Sequence, residues 1–88
     1  MPKMVLTHPV ADVDTWLGFT AERAEAIAGL GGANVVEHVA TDGGMIALSF
    51  DVADVDAMMA TLGSPPPELA AAMEKHGVLP PLVAYVEK

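Results

Sequence analysis

Val10-Ala11-Asp12-Val13-Asp14 returns unchanged 42 residues later as Val52-Ala53-Asp54-Val55-Asp56. Each copy follows a strand-like run, residues 4–10 and 45–52. Each precedes apolar residues at helical spacing: Val13, Trp16, Leu17, Thr20, Ala24, Ile27 and Ala28 after the first, and Val55, Met58, Met59 and Leu62 after the second. The pentapeptide therefore marks a strand-to-helix junction. Its first Asp can accept hydrogen bonds from the free N–H groups of a first helical turn, and the second, two residues on, suits the positive end of the helix dipole. A repeated half is the reading adopted here; two unrelated helix caps would leave the same secondary structure.

Outward from these junctions, Gly29-Leu30-Gly31-Gly32 should end the first helix. Residues 33–41, rich in β-branched side chains, read as a second strand. Asp42-Gly43-Gly44 predicts a tight hairpin turn into Met45–Phe50. After Leu62-Gly63, Ser64 is expected to cap another helix opened by Pro65-Pro66-Pro67. That helix carries Leu69, Ala72, Met73 and His76 and ends at Gly77. Pro80-Pro81 prevents continuation, and residues 82–86 form the last strand, with Tyr85 in it. The order β-α-β-β-α-β, with its second helix split, predicts one α+β domain over residues 1–88. Its expected form is ferredoxin-like: an antiparallel four-stranded sheet with helices on one face. Both sides of the first and last strands carry apolar groups, so the uncovered face is expected to pack on a second copy, giving a homodimer through the sheets.

Composition agrees with a buried partner surface. The chain is 52% hydrophobic over 88 residues, and so short a domain buries only about 60% of the surface its unfolded form exposes. Twelve carboxylates against four basic residues give a formal charge of -8, the wrong sign for nucleic acid or an anionic membrane surface. The absence of cysteine removes disulfides, thiolate nucleophiles and cysteine-based zinc sites. The start, Met1 to Pro9, lacks the apolar run of a signal peptide, and nothing approaches the roughly 20 apolar residues of a membrane span, so a soluble cytoplasmic protein is expected.

The series His8-x-Val10-x-Asp12-x-Asp14-x-Trp16, Phe19, the glycine-rich helix end, the Asp-Gly-Gly hairpin, Ser64-Pro-Pro-Pro-Glu-Leu69, Met73, Gly77-Val78, Pro80-Pro81 and Val83-x-Tyr85-x-Glu87 resembles the dimeric α/β-barrel superfamily. More narrowly it is similar to small single-domain members near antibiotic-biosynthesis monooxygenases, cyclases and stress-responsive barrel proteins. The resemblance implies a pocket between helices and sheet, or at the dimer seam, for a small and largely apolar ligand. It also implies chemistry without a bound cofactor: isomerisation, cyclisation or cofactor-free oxidation, in that order. The alternative is a non-catalytic ligand-binding or stress-related dimer. The Asn, Trp and Arg cluster of the quinone-forming oxygenases is not identifiable by pattern, since the single Trp is Trp16 and the single Arg is Arg23. Four basic residues offer little for haem propionates.

His8, on the strand side shared with Met4 and Leu6, is the first choice for a general acid or base, because a modestly perturbed imidazole titrates near neutrality. A backbone-bonded histidine at a strand end is the plainer alternative. Tyr85, on a strand adjacent to that of His8, could direct its hydroxyl into the same pocket; together the two would make a proton-moving pair. Trp16, Phe19, His38, Met58 and Met59 complete the expected ligand-binding set, methionine being adaptable to varied apolar ligands. His38 otherwise reads as solvent-facing, and His76 as a cation at a helix C-terminus. Ser49 and Asp51 share a side of their strand without the Gly-x-Ser-x-Gly turn of a nucleophile. Three histidines without an i, i+4 pair predict no metal site.

Overall fold

Both copies of the repeated pentapeptide cap a helix, as their residues require. In the computed structural model, which describes residues 1–88, Asp12 Oδ1 accepts from the Thr15 amide and Asp54 Oδ1 from the Ala57 amide, each at 2.9 Å. Asp14 and Asp56 lie in the first turns that follow. Around these junctions the chain runs β1 (Lys3–Pro9), α1 (Val13–Leu17), α2 (Thr20–Gly29), β2 (Gly32–Val39), β3 (Met45–Val52), α3 (Val55–Gly63), α4 (Pro67–Lys75) and β4 (Val83–Val86). The strands form one antiparallel sheet in the order β2-β3-β1-β4. This is the expected ferredoxin-like arrangement.

One face of the sheet carries the core. Met4 and Leu6 of β1 and Ile46, Leu48, Phe50 and Val52 of β3 pack with Trp16 of α1 and Met58 of α3. The opposite face has no helix on it and exposes Val36, Met45, Val83 and Tyr85. No helix is long and apolar enough to cross a membrane.

Three boundaries differ from the sequence reading, each for a local reason. The first helix is broken at Gly18-Phe19 rather than continuous. Glycine is a poor helix former, and the Thr20 hydroxyl donates to the Leu17 carbonyl at 2.8 Å, occupying an acceptor that a continuing helix would use. Ser64 does not cap α4: it ends α3, while Pro66, held extended by the proline after it, takes the position before α4 without a side-chain cap bond. β2 begins one residue early and stops at Val39, with a bulge between Ala33 and Val36 that places Asn34 at φ 55°.

Gly32, where α2 turns into β2, is a close approach. A Cβ there would collide with the Ile27 side chain and lie 3.2 Å from both the Ile27 carbonyl oxygen and the Phe50 ring. Gly32→Ala is therefore expected to destabilise the fold by about 1–3 kcal/mol through overpacking. Urea unfolding checks this, and a midpoint equal to wild type would contradict it.

Candidate functional site

The alternation of β1 turns Met4, Leu6 and His8 inward together, and His8, only 2% exposed, is the polar member of that row. It lines a cavity of about 70 Å³ between sheet and helices, whose other walls include Leu6, Leu48, Phe50, Ile27 and Met58. His8 Nδ1 lies 2.9 Å from the Pro9 carbonyl oxygen. A carbonyl can only accept, so Nδ1 carries the proton and Nε2 is left as an acceptor. Burial lowers the pKa of His8 below its ordinary 6.5; the Pro9 hydrogen bond opposes this and the nearby charge of Arg23 adds to it. The side chain is thus a neutral base in an apolar chamber.

A second polar group reaches the cavity, and the sequence reading did not select it. Arg23 of α2 is 7% exposed. Its guanidinium lies over the Trp16 ring, 3.8 Å from the centroid. Nε donates to Glu37 Oε2 of β2, and Nη2 donates to the Trp16 carbonyl at 2.6 Å. That carbonyl also accepts from the Phe19 amide at 3.1 Å, so both of its acceptor sites are used. Nη1 donates at 3.1 Å to His76 Nδ1, which must therefore be an acceptor. His76 Nε2 then donates to Glu22 Oε2 at 2.9 Å, and Lys75 Nζ reaches the same carboxylate. These bonds, His76 first, hold Glu22 below the usual carboxylate range. Helix spacing carried the missed signal: Trp16, Thr20, Arg23 and Ile27 fall three or four residues apart, on one helical face.

The expected site residues divide between the two sides of the sheet. His8 and Met58 line the cavity. Trp16 is wholly buried behind it, edge-on to His8 with ring centroids 6.2 Å apart. Phe19 stacks on His76, centroids 4.5 Å apart. Met59 faces outward on α3, and His38 is exposed on the uncovered sheet face. Tyr85 is also on that face, 56% exposed, and so is not beside His8. Its β1 partner is Val5. Residues directly opposite in an antiparallel pair share a side, and Val5 points away from Leu6 and His8. Adjacent strands were correct; the register sends the hydroxyl to the wrong face.

No group of three metal-ligating side chains is present. Lys3, Arg23 and Lys75 are each paired with a carboxylate, Asp51, Glu37 and Glu22 respectively. Asp51 is held below its usual range by Asn34 first and then Lys3.

No protein-family model matches the chain, and no curated protein matches it in sequence. Solved structures match in fold. A monooxygenase from the gene ActVA-Orf6 of Streptomyces coelicolor, in complex with nanaomycin D, superposes with TM-score 0.64 at 22% identity, over 99% of this chain and 85% of that one. A candidate antibiotic biosynthesis monooxygenase of Deinococcus radiodurans gives 0.60 at 15% identity, over 100% and 91%. Rv0793 of Mycobacterium tuberculosis gives 0.59 at 17%, over 100% and 94%. The chain shares its ferredoxin-like fold with these three structures.

Arg23→Met should cost about 3–5 kcal/mol, because it leaves the Glu37 carboxylate, itself 7% exposed, buried without a cation and with only the Thr20 hydroxyl for a partner. Adding Glu37→Leu should restore part of the loss. Urea unfolding of both variants checks this, and a neutral single variant would contradict it. The depressed pKa of His8 fixes a sign for pH as well. Below pH 6.5 the unfolded chain binds a proton that the folded chain refuses, so His8 makes stability fall as pH drops through that value and contributes no loss above it. Between pH 6.5 and about 5, before carboxylates titrate, His8→Asn should flatten the dependence of the urea midpoint on pH.

Proposed function

We propose that this protein is a small homodimeric α/β barrel that binds a small, largely apolar organic molecule in the cavity and moves a proton on it, with no bound cofactor. The state of His8 carries the reading: a buried imidazole whose Nδ1 proton is held by the Pro9 carbonyl presents Nε2 as a base to an otherwise apolar chamber. Nε2 takes a proton from carbon next to a carbonyl, the C–H electron pair moves to the carbonyl oxygen as an enolate, and the imidazolium returns the proton at another carbon. Arg23 replaces Tyr85 as the assisting group. Four of its five N–H donors are engaged in the structure, and the remaining one, on Nη1, together with its fixed charge, suits an oxygen that becomes negative. Isomerisation needs no more than this; in a cyclisation the enolate carbon instead bonds to a second carbonyl carbon of the substrate, and the imidazolium gives its proton to the alkoxide that forms. The same deprotonation would expose a substrate to dioxygen, chemistry of the kind named for the Streptomyces protein.

A second copy fits the uncovered sheet face, where Val36, Met45, Val83 and Tyr85 are exposed together. In that assembly His38 and Tyr85 belong to the seam rather than to the His8 chamber. The size of the chamber favours a second reading: about 70 Å³ is well below the roughly 300 Å³ at which ordinary ligand pockets begin, as a non-catalytic dimer would have it.

Native mass spectrometry of freshly purified protein should show a dimer retaining a small organic ligand. A bare monomer would overturn the assembly. Proton transfer is tested by deuterium uptake from heavy water into small cyclic ketones: wild type should exceed His8→Ala at least tenfold, the lower part of the range for a positioned general base. Equal uptake by a folded His8→Ala removes His8 from the chemistry and leaves the non-catalytic reading.

A further inference from the structure

The cavity has a larger neighbour. A groove of about 280 Å³ opens between the C-terminal half of α2 and the start of α4. Ala26, Leu30, Leu69 and Ala72 line both the groove and the inner cavity. The two spaces thus meet at a shared wall. Part of that wall is made of small side chains, Ala26 from α2 and Ala72 from α4, and no residue of α4 is fully buried. With the groove included, the accessible space reaches the scale of ordinary small-molecule sites, roughly 300 Å³ and upward.

Polarity along this path runs one way. The inner end offers one acceptor, His8 Nε2, among aliphatic and aromatic groups, while the Arg23 charge beside it is already balanced by Glu37. The walls are hydrocarbon as far as the outer rim, where Glu68 supplies a negative charge. A full carboxylate charge at the inner end would be desolvated against the single Nη1 N–H that Glu37 and the other partners of Arg23 leave over, and would pass Glu68 to get there. A hydroxyl is the complement of Nε2.

We propose that the cavity and the groove are one site for an elongated, uncharged apolar molecule with a terminal hydroxyl, whose head meets His8 and whose hydrocarbon tail leaves between α2 and α4. This rests on the cavity being a ligand site, and adds the shape and charge of what enters it. It also explains the small inner volume: the chamber holds the head alone.

Trp16, the single tryptophan, lies against His8 and reports on the inner chamber through its fluorescence. The probes are n-butanol, n-hexanol, n-octanol and n-decanol, with octanoate for comparison. Affinity should rise roughly three- to fourfold per methylene from hexanol to decanol, and octanoate should bind more weakly than octanol. Gly29 borders the groove, and a Cβ added there meets nothing within 4 Å, so Gly29→Phe is the variant chosen to fill the groove, with its urea midpoint checking that the fold is kept. In that variant the gain with chain length should vanish while butanol binding is kept; Gly29→Ala, which adds only a methyl group, should keep most of the gain. Butanol binding with no gain along the wild-type series, or a wild-type gain in Gly29→Phe, overturns the tail path and leaves the cavity reading intact. Octanoate binding as tightly as octanol overturns the uncharged head. No Trp16 response at any length overturns both readings together.

Discussion

Arg23 is the constraint around which the helical layer is arranged. Moving a guanidinium out of water is costly, and the fold offsets that cost with an ion pair to Glu37, a bond to the Trp16 carbonyl, a bond to His76 and the face of an indole. Each partner comes from a different element: α1 supplies Trp16, β2 supplies Glu37, and the end of α4 supplies His76. A single planar group with donors in fixed directions thereby sets where three elements meet, which a flexible ammonium would do less well. The break after α1 lies at the same place, where the Trp16 carbonyl accepts both the Phe19 amide and Nη2.

His8 owes its state to that frame. The chamber it faces is lined mostly by apolar side chains, Phe50 and Met58 among them, with Trp16 packed behind, and its neutrality follows from burial with a fixed positive charge nearby. Arg23 makes His8 a weaker base, and would make an enolate beside it a more stable product. These effects oppose each other at one atom and support each other across a proton transfer, so the pair suits movement of a proton better than storage of one.

Much of the fold was legible because its signals are local. The repeated Asp caps, the Asp-Gly-Gly turn and the strand alternation act within a few residues, and they gave the element order, the sheet and the inward side of His8. Ser64 misled because three successive prolines shift the helix start, an effect of neighbours rather than of capping preference. The site was less legible. Tyr85 and His8 do lie on adjacent strands, but whether they share a face depends on register, and one residue of slip reverses it. Arg23 was open to view at helical spacing from Trp16 and Ile27. It was passed over because a charged residue on an apolar stripe is ordinarily solvated, and its partner Glu37 is remote in sequence.

The duplicated Asp caps have an electrostatic outcome. β1 and β3 run antiparallel, so the two junctions lie at opposite ends of the sheet. The uncovered face carries few charged groups, the Lys3–Asp51 pair and Glu87, whose carboxylate accepts from the Lys3 amide, besides His38 and Tyr85. With a total of -8, two such molecules repel in most orientations, and the repulsion is weakest when these nearly uncharged faces meet. In the proposed dimer, salt should therefore matter more to how fast copies find one another than to how firmly that surface holds.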